Sequence, residues 1–344
     1  KAEFPPDTEV KVMAYHSQQV LLLRHEQEQH LDQVLKRKEK AGEAPKAFSN
    51  TIIRSHLDNS CAKQIIFILV ATPVEEVGRD HDFDWAVVEP SSYRSIVQLA
   101  GRVRRHREGE VAQPNIGLMQ YNYKAYKEGD KKGGVYFTRP GYEAKPMPTH
   151  DLNKIINLSA LEKGINAIPR ITQLAPSQGQ HLAAIEHKAI SQLLTQYDQF
   201  GPQALQGYLD STWFLTALPQ LLHAFRQSEP CTTIFLVVNS DGEDCYFTQK
   251  DEQGLRVVDI NGDLINVEKI LQITPVSLSA SERNNLWLIR DYVDALDTHI
   301  DEDELPTRRQ VSLRYGELSF VVRDNNKYEY SDQFGLVKIG REQC

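Results

Sequence analysis

Polar and apolar positions alternate over short distances at the start of this chain. Along residues 8–17 valine and alanine alternate with polar neighbours, which predicts a strand that ends at Tyr15-His16-Ser17. Residues 63–72, KQIIFILVAT, form a continuous apolar run, which is typical of a strand covered on both faces. The run WAVVEP at 85–90 predicts another short buried strand.

Helical patterns separate these strands. Residues 21–42 place leucines among charged residues and end at Gly42, which is a common stop signal. Residues 91–105, SSYRSIVQLAGRVRR, predict a helix that Ser91 or Ser92 caps. Because strands and helices alternate, the first part of the chain is predicted to be an α/β unit with a parallel sheet.

The pattern changes after Pro114. Residues 115–122 predict one more strand, and 137–155 are rich in proline and loop-like. Helical patterns occupy 177–196, 211–228 and 279–299, and strand-like runs occupy 232–239, 244–249, 254–260, 309–317, 318–324 and 335–340. The C-terminal half is therefore predicted to be an α+β module. We divide the chain into 1–112, 113–195 and 196–344.

Composition is that of a soluble globular protein, with 40% hydrophobic and 25% charged residues. No run of about twenty apolar residues is present, so the sequence predicts no membrane span. The four cysteines are scattered, which favours the reducing cytoplasm over a disulfide framework. A net charge of −8 argues against general binding of nucleic acid but permits a local basic groove. Because the chain does not begin with methionine, we expect it to be a piece of a larger protein.

The richest chemistry lies between residues 70 and 107. Thr72 follows a buried strand, at the sheet edge where parallel sheets bind ligands. Gly78 allows a close backbone approach, and Asp80 offers a carboxylate for a ribose hydroxyl. If 91–105 is helical throughout, Gln98, Arg102 and Arg105 lie on one face at i, i+4 and i+7. Two arginines on one face predict a clamp for a polyphosphate.

Two His-Asp pairs, His81-Asp82 and His150-Asp151, suggest a metal nuclease at first sight. A site of that kind needs further ligands from other helices, whereas these pairs follow a loop and lie in a proline-rich segment. We therefore predict no metal site in this chain. Asp82 and Asp84 are instead expected to cap the loop or to pair with Arg79.

The segment from Thr72 to Arg105 resembles motifs V and VI of superfamily 2 helicases, which lie on their second RecA-like domain. The resemblance implies that Gly78 and Asp80 face the nucleotide sugar and that Thr72 contacts the nucleic-acid backbone. It implies that Arg102 and Arg105 reach the γ-phosphate, one of them as an arginine finger. The family often has arginine where this chain has Leu99, which leaves the nucleotide-binding role of Gln98 open.

Residues 14–38 are similar to motif IV of the CRISPR-associated helicase-nuclease of type I systems, with His16 and Ser17 at the strand end as DNA contacts. TRPGYE at 138–143 and AFRQS at 224–228 resemble its I-F subtype. The implied fold is a partial, N-terminally truncated second RecA-like domain over 1–112. A final strand and linker follow over 113–195, and an α+β accessory domain covers 196–344.

This family resemblance implies an ATP-dependent translocase or helicase on single-stranded DNA, with an upstream nuclease that degrades invader DNA in the prokaryotic cytoplasm. The chain itself contains neither the phosphate loop nor the Asp-Glu-x-His motif, so we expect it to be inactive alone. ATP and Mg²⁺ would be shared with the first RecA-like domain. Divalent metals would serve the upstream HD nuclease, and this part would bind no cofactor alone.

The implied partners are single-stranded DNA, the RNA-guided type I-F surveillance complex and the spacer-integration protein, with phage-encoded inhibitors as further candidates. Two other functions remain open at this point. The chain is compatible with another superfamily 2 DNA or RNA helicase outside CRISPR immunity. It is also compatible with a non-catalytic module that docks onto the surveillance complex or an inhibitor.

Overall fold

The chain forms two compact units, each described here by itself. The computed structural model describes residues 4–40, 42–76, 78–131, 134–137, 147, 149–172, 181–194, 231–239, 244–250, 257–260, 262–302, 307–322 and 326–339. Unit 1 consists of Lys1–Glu75 with Ser228–Cys344, and unit 2 consists of Glu76–Gln227. The domain boundaries predicted after residues 112 and 195 stay predictions.

The strands follow the chain in an order close to the one predicted. They are β1 Thr8–Tyr15, β2 Gln64–Ala71, β3 Ala86–Val88, β4 Ile116–Leu118, β5 Thr232–Val238, β6 Cys245–Gln249, β7 Ile273–Pro275, β8 Glu317–Phe320, β9 Lys327–Ser331 and β10 Gly335–Ile339. The sequence patterns predicted eight of these ten, and the short strands β7 and β9 were missed. The predicted strand at 254–260 lies partly outside the described residues, and Val258 forms only an isolated bridge with Leu264.

Helices lie between and after the strands. They are α1 Leu21–Leu35, α2 Thr51–Asn59, α3 Tyr93–Ala100, α4 Tyr123–Glu128, α5 Leu152–Ile155, α6 Leu158–Leu161, α7 Ile168–Ile171, α8 Leu182–Leu194, α9 Glu268–Leu271, α10 Ala280–Arg283, α11 Tyr292–Glu302 and α12 Arg308–Tyr315. Short 3₁₀ turns occupy Lys46–Ser49 and Pro73–Glu76. The helix predicted over 211–228 falls outside the described residues.

Unit 1 contains the parallel pair β1–β2, in which Thr8 aligns with Gln64 and Tyr15 with Ala71. It also contains one antiparallel sheet in the order β6-β5-β8 and one mixed sheet in the order β10-β9-β7. Its hydrophobic core is built mainly from these two sheets and α11, with Leu22 and Leu23 of α1 packed into it. The predicted mixture of α and β structure is confirmed. The parallel sheet predicted for the first part of the chain is present only as separate two-stranded pairs among the described strands, β1–β2 and β3–β4.

A buried cation joins distant parts of unit 1. Arg290 is 4% exposed, and its guanidinium donates to Leu23 O at 3.2 Å, to Gln27 Oε1 at 3.0 Å and to Gln333 O. Gln27 in turn donates to Ala14 O of β1 at 2.8 Å. Burial lowers the pKa of Arg290 to about 10, so the guanidinium stays charged near neutrality. Arg290 therefore ties α1 and β1 to the β9–β10 turn.

Unit 2 contains the parallel pair β3–β4, in which Ala86 aligns with Ile116. α3 begins as predicted, because the Ser92 hydroxyl accepts from Ser95 N at 2.9 Å. Glu186 of α8 also accepts from Tyr93 N at 2.5 Å, so a buried carboxylate from another helix fixes the start of α3. Burial raises the pKa of Glu186.

Two predictions for the C-terminal half are wrong. Residues 309–317 were predicted to be a strand, but α12 covers most of them. Residues 279–299 were predicted to be one helix, but they form α10 and α11 with a non-helical stretch between. In that stretch Leu286 makes a parallel bridge with Val12 of β1, which requires extended backbone. Within the described residues, no helix combines the length and apolar character needed to cross a membrane.

Candidate functional site

Two of the predicted DNA contacts lie at one edge of the β1–β2 pair. The strands are parallel and aligned to their last residues, Tyr15 and Ala71, so the residues that follow them emerge together. Thr72 N donates to Tyr15 O at 3.0 Å, which holds the two chain exits side by side. Ser17 and Thr72 are both exposed. The structure thus presents two hydroxyls at the carboxyl edge of a parallel pair.

His16 lies at the same edge but is engaged within the protein. Its Nε2 lies 2.8 Å from Phe334 O, and its Nδ1 accepts from Gln18 N at 3.1 Å. Burial lowers the pKa of His16, although donation to Phe334 O acts in the other direction. Both ring nitrogens of the neutral imidazole are therefore used, and this geometry gives no support to His16 as a phosphate contact.

A second group of predicted residues lies in unit 2, where two loop segments run side by side. Phe83 N donates to Arg102 O at 2.8 Å, and Arg104 N donates to Phe83 O at 2.9 Å. These bonds make a parallel bridge between Phe83 and Val103. The bridge brings the segment after Gly78 alongside the segment after α3.

Asp80, Arg105 and His106 meet across this pairing, and we call them the Asp80 cluster. Arg105 Nε lies 3.1 Å from Asp80 Oδ1, and His106 Nε2 lies 2.7 Å from the same oxygen. The side chains of Asp80 and Arg105 are 35% and 41% exposed, so solvent or a ligand can reach both. The cluster joins a carboxylate and an arginine that the sequence assigned to one nucleotide.

The predicted helical face of Gln98, Arg102 and Arg105 is wrong. α3 ends at Ala100, Gly101 caps it, and Arg104 has a positive φ of 49°, which turns the chain out of helical geometry. Arg102 is 7% exposed and donates to Glu76 O at 3.1 Å, whereas Arg105 points to Asp80. The two arginines therefore differ in environment and do not form a pair along one helix.

Gln98 and Gly78 occupy different settings in unit 2. Gln98 lies on α3 and is half-buried, and its buried Oε1 finds no hydrogen-bond partner among the described residues. Gly78 is exposed with a φ of +80°, a conformation that favours glycine. A methyl group added at Gly78 would meet no atom within 4 Å, so the space beside it is open. This open space is compatible with the predicted close approach of a ligand to the Gly78 backbone.

The pair His81-Asp82 is structural. Both side chains are fully buried, and Asp82 accepts from Arg107 Nη2 at 2.7 Å and from His106 N at 3.1 Å. Arg107 also donates to Asp84 and, at 2.6 Å, to Phe83 O. Arg107 thus bonds both Asp82 and Asp84, and the predicted pairing of these carboxylates with Arg79 stays a prediction. Burial alone would lower the pKa of Arg107, but these two carboxylates outweigh it and raise that pKa.

His150 is also part of the packing of unit 2. It is buried, its Nδ1 lies 3.1 Å from Asp130 Oδ1, and its Nε2 accepts from Tyr136 N at 3.3 Å. The rings of Tyr136 and Phe137 both meet the imidazole edge to face. Across the residues that the structure describes, no group of three or more histidine, cysteine or acidic side chains has the arrangement of a metal site.

The sequence pattern did not predict the contacts of His106 and Arg107 with Asp80 and Asp82. The sequence does contain a signal for these contacts. Aspartates occupy every second position at 80, 82 and 84, and arginines occupy positions 105 and 107. A period of two in both segments indicates extended chains whose opposite charges can face each other. That spacing would have predicted the paired loops.

The sequence of this chain is similar to those of known proteins. Residues 1–108 match the family model described as CRISPR-associated nuclease/helicase Cas3, C-terminal. A Pseudomonas aeruginosa protein (strain UCBPP-PA14), named CRISPR-associated nuclease/helicase Cas3 subtype I-F/YPEST, is 32% identical over 342 residues. A protein of the same name from Pectobacterium atrosepticum is 37% identical over 196 residues. The alignments cover 97% and 55% of this chain but only 30% and 17% of those relatives.

Solved structures give a weaker likeness. The crystal structure of T. fusca Cas3-ATP is 15% identical with a TM-score of 0.32, covering 74% of this chain and 27% of that one. A second crystal structure, titled as a CRISPR-associated protein, is 16% identical with a TM-score of 0.35, covering 97% of this chain and 35% of that one. Similarity at this level does not establish a shared fold. On its sequence relatives, the chain belongs to the Cas3 nuclease/helicase family, where it corresponds to a C-terminal part.

Proposed function

We propose that this chain is the C-terminal part of an ATP-dependent translocase on single-stranded DNA whose nuclease domain lies upstream. The observation that carries the proposal is the Asp80 cluster, in which the residues of two helicase-like motifs meet within 3.1 Å. The curated relatives support the same conclusion, since both are named nuclease/helicase. In this proposal residues 1–112 derive from a second RecA-like domain and the accessory domain follows at 196–344.

Nucleotide contact is assigned to the open side of the Asp80 cluster. The Asp80 carboxylate accepts from the ribose hydroxyls of ATP, and the open space at Gly78 admits the sugar. Arg105 is the arginine finger, because it is the more exposed arginine and its present partner is an exchangeable surface carboxylate. A positioned arginine stabilises the charge that develops on the transferred phosphoryl group.

Arg102 receives a different role from the one first assigned. Its burial and its bond to Glu76 O make it a positioning residue that fixes the chain before Gly78 relative to the end of α3. Glu76 is held a second time, because its Oε1 accepts from Ser95 Oγ at 2.7 Å. Gln98 offers an unused amide oxygen near this helix end, and we keep it as a candidate contact to the nucleotide.

DNA contact is assigned to the carboxyl edge of β1–β2. Ser17 and Thr72 supply exposed hydroxyls that donate to phosphate oxygens, a type of contact that positions a strand without reading its sequence. Their binding to a single strand is expected to weaken with salt. His16 positions this edge through its bond to Phe334 O and is not itself assigned to DNA.

The intact protein would supply the remaining parts. A phosphate loop and Mg²⁺ ligands on the first RecA-like domain would complete the ATP site, and an HD domain would hold the metals for DNA cleavage. The partners in this proposal are the RNA-guided type I-F surveillance complex, the spacer-integration protein and phage-encoded inhibitors. The activity belongs to interference against invader DNA, and this part alone is inactive.

ATP hydrolysis by the full-length protein tests the finger assignment. Arg105→Ala should lower DNA-stimulated kcat by about a thousandfold, and Arg105→Lys should recover little of it, because lysine lacks the planar fork. Arg54→Ala, which removes an exposed arginine paired with Asp58 on α2, is the matched control and should retain full activity. Unchanged hydrolysis in Arg105→Ala would refute the assignment of Arg105.

A further inference from the structure

A short helix of unit 2 exposes two tyrosines that no part of the proposed mechanism uses. Tyr123 and Tyr126 of α4 are 61% and 75% exposed. They are three residues apart, so their side chains are neighbours on one face of the helix, with Cβ atoms about 5–6 Å apart. Among the described residues, neither ring stacks on another aromatic side chain. Two adjacent rings thus leave their faces open to solvent.

The helix is anchored so that these rings stay outside. The Asn122 side chain accepts from Ala125 N at 2.9 Å and donates to Tyr136 O at 2.8 Å. Ala125 is 1% exposed and forms the contact of the helix with unit 2. Gly129, with a φ of +84°, ends the helix. The rings are therefore presented on a short element that is fixed at both ends.

Positive charge flanks the rings. Lys124 and Lys127 follow the two tyrosines by one position each, so they form a second row beside them, and both are exposed. Lys131 lies just beyond the helix and is also exposed. The sequence of this surface alternates aromatic and basic residues within five positions, from Tyr123 to Lys127.

The acidic groups nearby do not cancel this charge. Asp130 is turned inward, where it accepts from Thr149 Oγ1 at 2.7 Å and from His150 N at 2.9 Å. Glu89 accepts from Tyr123 N at 2.7 Å at the start of the helix. Glu128 is exposed next to Lys127 and is the acidic residue of the helix itself. Three lysines therefore face solvent near two glutamates. Glu128 lies on the helix itself, and Glu89 is bonded to the N-terminus of the helix.

We infer that Tyr123, Tyr126, Lys124 and Lys127 form a stacking platform for single-stranded nucleic acid. Successive bases stack on the two rings while the lysines contact the phosphates between them. Aromatic side chains bind bases of any sequence, because every base has a π-face, and lysines add the salt-dependent part of the affinity. A duplex keeps its bases stacked internally and would gain little from the rings. This inference depends on the proposed function only in taking single-stranded DNA as the nucleic acid that the platform binds.

Equilibrium binding of a labelled oligothymidylate to the full-length protein, without ATP, tests this platform. The double substitution Tyr123→Ala with Tyr126→Ala should weaken binding by about thirtyfold or more, because two base stacks are lost. Binding of an abasic strand of the same length, and of duplex DNA, should be unchanged. Tyr123→Trp with Tyr126→Trp should restore or exceed the original affinity. Lys124→Gln with Lys127→Gln should reduce the slope of log affinity against log salt by about 1.4.

The matched control is Ile168→Ala with Ile171→Ala. These isoleucines are 61% and 80% exposed and also lie three apart on a short helix of unit 2, so they reproduce the loss of two exposed side chains without loss of aromatic faces. An affinity for oligothymidylate within twofold of the original, or an equal loss on the abasic strand, overturns the platform. Failure of Arg105→Ala to affect ATP hydrolysis would refute the proposed mechanism and leave this result standing, so the two failures are distinguishable.

Discussion

Arg105 Nε lies 3.1 Å from Asp80 Oδ1, so two residues assigned to the same nucleotide are bonded to each other. His106 Nε2 shares the same oxygen at 2.7 Å. A nucleotide that uses Asp80 must compete with Arg105 for that oxygen. Binding of the sugar and release of the arginine are therefore linked events in the proposed mechanism.

Asp80→Asn in the full-length protein should lower kcat/KM for ATP by about tenfold. An amide keeps the size of the side chain but gives up the charge-assisted bond to the ribose hydroxyl, which contributes about 1.5 kcal/mol. Steady-state hydrolysis measured over a range of ATP concentrations gives the ratio. Asp84→Asn is the control, since that carboxylate is 65% exposed and lies outside the Asp80 cluster. Equal kcat/KM in the two variants would contradict the assignment of Asp80.

The sequence predicted β1 and β2 of unit 1 because each strand carries a local signal. β2 is a continuous apolar run and β1 alternates, so both were expected, and so was Thr72 at a strand exit. The inner face of β1 was predicted less well, since Met13 and Tyr15 are its buried residues. Tyr15 is buried with its hydroxyl bonded to Glu28 Oε1 at 2.8 Å, a partner that lies on α1 and that alternation along one strand does not reveal.

Elements decided by distant contacts could not be predicted from local pattern. The period of two at Val311, Leu313 and Tyr315 indicated a strand, but the segment is helical. Thr307 caps it by accepting from Gln310 N at 3.2 Å, and Val311 packs fully into the core of unit 1. Tertiary burial therefore overrode the alternation.

The same reasoning applies to the break between α10 and α11. Arg290 lies in this break and reaches Gln27, which is 263 positions away in the chain. Leu286 pairs with Val12 in the same stretch. Such pairings depend on which strands become neighbours after folding, and amphipathic spacing along one segment carries no information about them. The end of α3 at Ala100 has the same cause, since Val103 pairs with Phe83.

Arg107→Ala should destabilise unit 2 by about 3 kcal/mol. Asp82 is fully buried, and removal of Arg107 leaves its carboxylate without the cation that compensates its charge. Thermal unfolding followed by circular dichroism should show a lower midpoint for the variant. Arg54→Ala, whose ion pair lies on the surface, should change the stability of the chain by less than about 1 kcal/mol. A midpoint for Arg107→Ala equal to that of Arg54→Ala would show that Asp82 does not depend on Arg107.

His30 should make the stability of unit 1 sensitive to acid. It lies on α1, is 5% exposed and meets the ring of Trp287 edge to face at 5.9 Å. Neither ring nitrogen finds a hydrogen-bond partner among the described residues. Burial, with a smaller contribution from the charge of His56, lowers the pKa of His30 to about 4. The folded protein therefore holds this imidazole neutral, whereas the unfolded chain protonates it near pH 6.5.

This difference in pKa determines the direction in which the free energy of unfolding changes with pH. Between pH 6.5 and 4 the unfolded chain binds the extra proton, so the free energy of unfolding falls as the pH falls, by about 3 kcal/mol at most. His30→Leu removes that term and should flatten the acid side of the profile, while stability near pH 7 is kept or raised because two unpartnered nitrogens are lost. Urea midpoints from pH 7 to about pH 4.5, followed by tryptophan fluorescence, measure the profile. His25→Leu, an exposed histidine on the same helix, should retain the original slope, and an unaltered slope in His30→Leu would place the acid sensitivity elsewhere.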